Sequence, residues 1–257
     1  MKALTRSNLS KAVGLAGCLA CLPAAAQVAE SDNASWALEF TPYLWASVSP
    51  LRVDVGKRPS NGVEVPVSVF STNLDFAIMG TLEARKGRWG ALVDAQYVKL
   101  GVTGSQATAT LTPFSNLDIS YSQQIWTFAG LYRLTDGPVA VDLLGGARYL
   151  YAKTDTEFST AFLPVTAGQE RNKGWWDGIV GVRALVPIDA KWALLGYLDA
   201  GAGGSKFSYQ AIVGANYAYS PQTVFKFGYR YFSFERDDAP VIKASLGGLY
   251  GGVGFRF

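Results

Sequence analysis

From Trp36 onward, alternation with period two dominates the sequence. Side chains two apart on an extended strand share a face, so alternation makes each strand two-sided. WALEFTPYLWA sets Trp36, Leu38, Phe40, Pro42 and Leu44 against Glu39, Thr41, Tyr43 and Trp45. LDFAIMGTLEA sets Leu74, Phe76, Ile78, Gly80 and Leu82 against Asp75, Ala77, Met79, Thr81 and Glu83. WGALVDAQY, VAVDLLGGARYLY and WWDGIVGVRALV repeat the pattern, with Asp94, Asp142, Arg148, Asp177 and Arg183 on the minority face. WALLGYLDA from Trp192, FSYQAIVGANYAY from Phe207, VFKFGYRYFSF from Val224 and a closing segment from about Ser245 continue it. The stretch from Leu117 to Leu134 is long enough to be a strand, but its faces are ambiguous around Gln123 to Phe128, where a β-bulge is the expectation.

The pattern yields ten segments, most of ~10 to 14 residues, close to the ~9 to 11 a tilted strand needs to cross a bilayer. Their connections alternate in kind. Lys86-Gly87-Arg88, Thr135 to Pro138, Ile188 to Lys191 and Ser220 to Thr223 are tight, whereas 48–72, 99–116, 153–173 and 236–244 are longer. The glycine-rich link at 201–206 is the exception. Short turns at one end and longer loops at the other is the asymmetry of bacterial membrane barrels, and an even strand count brings both termini to the turn end. Aromatics gather at the segment ends. Trp36, Trp89 and Trp192 lie beside the turns, and Tyr97, Tyr149, Tyr151, Trp175, Trp176, Tyr229 and Tyr231 lie toward the loops, as two interfacial girdles require. A soluble β-sandwich or lipocalin-like barrel is the alternative. It would turn its apolar face inward and need neither girdle.

Residues 1–26 read as a secretory signal peptide, with a basic start, an apolar stretch from Ala12 to Leu22 and small residues before cleavage after Ala26. Leu15 to Cys18 also resembles a lipoprotein processing box, although the apolar run continues past Cys18 where a lipidated cysteine would be followed by a polar tether. Beyond the leader no apolar run reaches the ~20 residues of a membrane helix, so spanning would fall to strands. The net charge of +3 includes Lys2, Arg6 and Lys11 of the leader, so 20 of the 23 basic residues remain against 20 acidic ones. A neutral chain without a basic patch offers nothing to nucleic acid. Cys18 and Cys21, the two cysteines, both lie in the leader, which suits an oxidising compartment.

In a membrane barrel the apolar face meets lipid and the charged face lines the lumen. That face carries Glu39, Asp75, Glu83, Asp94, Asp142, Asp177 and Asp199 against Arg85, Arg148, Arg183, Lys226, Arg230 and Arg256. Charges in a narrow lumen must pair. Antiparallel register places Asp142 opposite Arg183 and Arg148 opposite Asp177, which predicts two salt bridges across one hairpin. Gly-x-Arg recurs at Gly146/Arg148, Gly181/Arg183, Gly228/Arg230 and Gly254/Arg256, where glycine would leave room for the guanidinium. The alternative is that both residues are simply common in barrels.

The chain contains no histidine, which removes Ser-His-Asp chemistry, histidine-assisted water activation and the usual metal ligands. Asp237-Asp238 lacks the spacing of a calcium loop, and GAGGSK at 201–206 lacks that of a phosphate loop. No cofactor is called for, and the expectation is a protein that is not an enzyme.

The sequence resembles a group of proteobacterial outer-membrane β-barrel proteins, mostly of unassigned function. The resemblance is carried by TPYLW at 41–45, NLDFAIMGTLEARKGRWG at 73–90, GARY at 146–149, GYRY at 228–231 and the terminal GFRF. It implies an exported protein, insertion by the outer-membrane barrel assembly machinery, a single barrel in outer-membrane lipid and no catalytic residues. Phe255 and Phe257 resemble the assembly signal at the end of such chains. The expectation is therefore a signal peptide at 1–26, a short segment at 27–35 and, over 36–257, an all-β antiparallel transmembrane barrel of ten strands, with eight or twelve as alternatives. Functionally, two expectations stand: a narrow pore for small polar solutes, or a closed structural or surface-binding barrel acting through its loops.

Overall fold

The computed structural model describes residues 35–54, 62–68, 74–103, 116–159, 166–236 and 242–257. The leader with Ala26, the Asp237-Asp238 pair and the side chain of Asp75 lie outside the described part. The described chain is all antiparallel strand: β1 Ala37–Asp54, β2 Gly62–Ser68, β3 Leu74–Lys86, β4 Trp89–Thr103, β5 Asn116–Arg133, β6 Ala140–Ser159, β7 Thr166–Pro187, β8 Trp192–Gly203, β9 Phe207–Ala218, β10 Thr223–Arg236 and β11 Ile242–Arg256. Each strand from β3 to β11 pairs with the next, and β11 returns to β1. Ten strands thus close a ring, and closure satisfies the edge groups that lipid could not. β2 stands outside the count, paired to the outer half of β1.

The turn end is built as its sequence dictates. Gly87 takes a φ of 57°, which the two-residue β3–β4 turn requires and a side chain would resist. Asp189 accepts from the Lys191 and Trp192 amides at 2.7 and 2.8 Å, closing the β7–β8 turn. Those bonds, Lys191's first, hold its carboxyl below the usual value. The β1–β3 ladder runs from Ala37/Arg85 to Pro42/Gly80, ending at a residue with no N–H to donate. Farther out, β1 pairs with β2 from Val48 to Asp54 instead.

Two expectations about local structure change. β5 keeps one register with both neighbours along its length, so no bulge is needed. Its faces looked ambiguous because Ile125, Ala129 and Leu131 are apolar yet point inward and are buried, while Trp126 and Phe128 point outward. The register shift falls instead between Leu74 and Phe76 of β3. The segments expected as long loops also contain strand: β6 and β7 have 20 and 22 residues, and every residue from Ala140 to Ser159 has a β7 partner.

Outward side chains are apolar along the wall: Leu38, Phe40, Leu44, Phe76, Ile78, Val180, Val213 and Leu249 are all exposed. Trp36, Trp89 and Trp192 are exposed near the turn end, and Trp176 and Tyr229 nearer the loops. Trp175 does not join them. It shares the inward face with Asp177, is buried, and donates through Nε1 to Ser205 Oγ at 2.8 Å.

Candidate functional site

The interior is filled, in three tiers. Nearest the turns, β1, β3, β5, β6, β7, β10 and β11 each contribute charge. Arg183 donates to both oxygens of Glu83, at 2.6 and 2.8 Å, and to Asp142 at 2.8 Å. Asp142 also receives Arg85 at 2.9 Å and Arg133 at 2.6 Å, so three guanidinium groups meet on one carboxylate. Across the mouth, Glu39 accepts from Arg256 at 2.9 Å and from Lys226. Above the Asp142 cluster, Leu131, Leu144 and Ile179 pack into an apolar layer with Leu92 and Tyr197 against it.

The middle tier holds two buried ion pairs. Arg148, wholly buried, grips Asp199 with two nitrogens at 2.9 and 2.5 Å and donates to Thr127 at 3.1 Å. Tyr197 donates to the same carboxylate at 2.7 Å. Arg230 reaches Asp94 at 2.6 Å, Gln210 at 2.6 Å and the Tyr43 hydroxyl at 2.7 Å, while Tyr43 donates to Asp94 at 2.5 Å. Planar guanidinium groups suit such multidentate contacts in a space with little water. Arg148 lies 5.0 Å from the Phe232 ring centre and Arg230 5.1 Å from that of Trp45, which join this tier to the outermost one.

The outer tier is apolar. Trp45, Met79, Ile125, Leu150, Trp175, Phe232 and Phe234 form one buried cluster across the lumen. Beside it the β8–β9 connection turns inward. Asp177 accepts from the Ser205 amide at 2.7 Å and the Ser208 hydroxyl at 2.9 Å, fixing that link to the wall.

The lumenal residues read from sequence are therefore largely brought together, but not always with the expected partners. The β6–β7 register is the anticipated one, with Asp142 opposite Arg183 and Arg148 opposite Asp177. The first pair forms a salt bridge. The second does not: Arg148 reaches beyond β7 to Asp199 on β8, and Asp177 is occupied by Ser205 and Ser208. Sequence reasoning missed Arg133, because the ambiguous faces of its segment hid its inward position. It also missed the neutral donors Tyr43, Tyr197, Thr127 and Gln210; only their parity with nearby carboxylates could have revealed them.

The glycines beside the arginines act differently from the expectation. A Cβ at Gly146, Gly181 or Gly228 would lie 1.9, 2.3 or 2.3 Å from a carbonyl oxygen of the adjacent strand, those of Phe128, Leu198 and Val213. These glycines let neighbouring backbones close up on the inside of a narrow, strongly curved wall. Gly254 instead faces the charged groups themselves, beside the Glu39 carboxylate and Thr41 Oγ1.

This architecture defines a class: a ten-stranded transmembrane β-barrel with a packed lumen. No known family model and no curated protein matches the chain. Among solved structures, it is similar in fold to the outer membrane protease OmpT from Escherichia coli, with a TM-score of 0.54 and 8% identity over 88% of this chain and 98% of that one. The translocator domain of the autotransporter NalP from Neisseria meningitidis aligns over 89% and 91%, with a TM-score of 0.47 and 13% identity. The attachment invasion locus protein Ail of Yersinia pestis aligns over 87% and 99%, with a TM-score of 0.41 and 15% identity.

Proposed function

We propose that this protein is a closed, non-enzymatic anchor in the outer membrane of a Gram-negative bacterium, acting through the strands and loops it raises at the loop end. The observation that carries this reading is the blocked lumen. Arg148, Asp199, Arg230 and Asp94 are all buried across the barrel's middle, and the apolar cluster that includes Phe232 lies above them. A polar solute would have to break two desolvated ion pairs and then cross an apolar layer. Between the two expectations from sequence, this favours the closed barrel over the narrow pore.

The long strands support the same reading. Twenty residues of β6 extend about 65 Å, about 50 Å along the axis at a ~40° tilt, roughly twice the ~25 Å apolar band of such barrels. The paired β5, β6 and β7 therefore rise well clear of a membrane and offer surface for contact. Export through a cleaved leader at 1–26, delivery by the barrel assembly machinery and contact with outer-membrane lipid complete the proposal. Planar-bilayer recording on purified, demonstrably inserted protein tests it. A silent bilayer is expected; discrete conductance steps at low voltage would overturn the closed barrel and restore the pore.

A further inference from the structure

We propose that the tier nearest the turns is a binding site for a small oxyanion of the phosphate or sulfate type. Five cations share three carboxylates there. Arg85, Arg133 and Arg183 meet Glu83 and Asp142, and Lys226 and Arg256 meet Glu39. β4, β8 and β9 add no charged side chain to this tier among the described residues. Each cluster therefore has one more cationic than anionic side chain, and the apolar layer of Leu131, Leu144 and Ile179 closes off the tier on the lumen side.

A surplus cationic side chain in a partly buried cluster is unfavourable until a counter-ion joins it. The cations are placed to receive one. Their side chains remain 13 to 32% exposed toward the mouth, whereas Asp142, the carboxylate that draws three of them together, is at 2%. Arg85 Nη1 is buried with no acceptor among the described residues, although its Nη2 bonds both Asp142 and Glu83. A halide would neutralise charge, but an oxyanion also offers several acceptor oxygens to guanidinium forks. The site is independent of whether the barrel conducts, because it opens to water at the turn end.

The test is calorimetric titration of detergent-folded protein with inorganic phosphate at constant ionic strength, chloride making up the balance. One saturable site per barrel is expected. Arg133→Gln and Lys226→Gln should each weaken it about tenfold, the loss of one charge-assisted contact. Arg88→Gln removes the same charge from the outer face of a turn, where Arg88 pairs with Asp136, and should leave affinity unchanged. Absence of saturable binding by the wild type, or equal weakening in Arg88→Gln, would overturn the site. If either variant of this tier fails to fold, the wild type still decides. Phosphate should raise its thermal midpoint above that in chloride of equal ionic strength, and no difference would count against the proposal.

Discussion

Removing Arg148 should be one of the most damaging single changes to this barrel, and the identity of the second change that repairs it tests the interior directly. In Arg148→Met, Asp199 keeps the Tyr197 hydroxyl at 2.7 Å and the Gln210 amide at 3.5 Å but loses both guanidinium contacts. Asp199 is buried, so its charge stays desolvated with no cation beside it. Breaking a buried pair from one side costs about 3 to 5 kcal/mol, whereas removing both charges is often close to neutral. Arg148→Met/Asp199→Asn should therefore regain most of the loss and come within about 1 kcal/mol of wild type. Arg148→Met/Asp177→Asn should not, because Asp177 takes its bonds from Ser205 and Ser208 and loses nothing when Arg148 goes. Urea unfolding in lipid vesicles, followed by tryptophan fluorescence, measures all four proteins, with heat-modified gel mobility confirming the folded barrel. Rescue by Asp177→Asn in place of Asp199→Asn would mean that Cα register, not side-chain reach, selects the partner. A single-variant loss below about 1 kcal/mol would mean that water enters the lumen and screens the pair.

Other consequences are sharp enough to test. Gly146→Ala pushes a Cβ to 1.9 Å from the Phe128 carbonyl oxygen and should cost about 1 to 3 kcal/mol by overpacking, while outward Gly196→Ala, with nothing within 4 Å, should stay within about 0.5 kcal/mol; equal costs in urea unfolding would refute the backbone-approach reading. Asp189, whose folded pKa is depressed by the Lys191 and Trp192 amides, contributes stability that is present above its unfolded pKa and lost as pH falls through the lower folded value. Asp189→Ala should therefore lower the unfolding midpoint at neutral pH and converge with wild type in strong acid; a gap that persists there would contradict the cap. Deleting Phe257 removes two backbone bonds to Leu38, at 2.9 and 3.3 Å, along with an exposed ring. It should reduce the heat-modifiable barrel in cell outer membranes more than refolding into detergent, and equal losses would argue against an assembly signal.

The exterior of this protein was legible in its sequence and the interior only partly so, for a physical reason. Lipid accepts almost nothing but apolar side chains, so the outward face must repeat, and Leu38, Phe40 and Leu44 mark β1 without ambiguity. The lumen accepts charge when paired and apolar groups when packed. Inward positions therefore range from Asp142 to Ile125, and β5, apolar on both sides near Ile125, lost its parity signal. Register could be read from alternating charges, but it fixes only which Cα atoms face each other. An arginine end group lies several bonds away, which is how Arg148 reached a different strand. Asp177 was unreadable because its partners are the Ser205 amide, in a short connection that nothing in the sequence marks as folded inward, and the Ser208 hydroxyl at the start of β9.

That contrast also explains what paired charges contribute to a lumen packed as tightly as this one. Buried pairs are weak sources of stability, and apolar replacements of similar volume would fill the lumen as well. An interior made wholly of hydrophobes would, however, leave strands apolar on both faces, with nothing to say which face belongs inside. A one-residue slip of β6 would carry Asp142 and Arg148 to the lipid side, and the same slip of β7 would carry Asp177 and Arg183 there. An arginine held at the membrane midplane costs about 2 to 4 kcal/mol, with somewhat less for an aspartate. Such a slip therefore adds several kcal/mol against the wrong register even before any native pair is counted. The charges act on the alternatives to the fold more than on the fold itself. β5 fits this logic, since its inward face keeps Thr127 and Arg133 where its apolar residues alone would not choose a side.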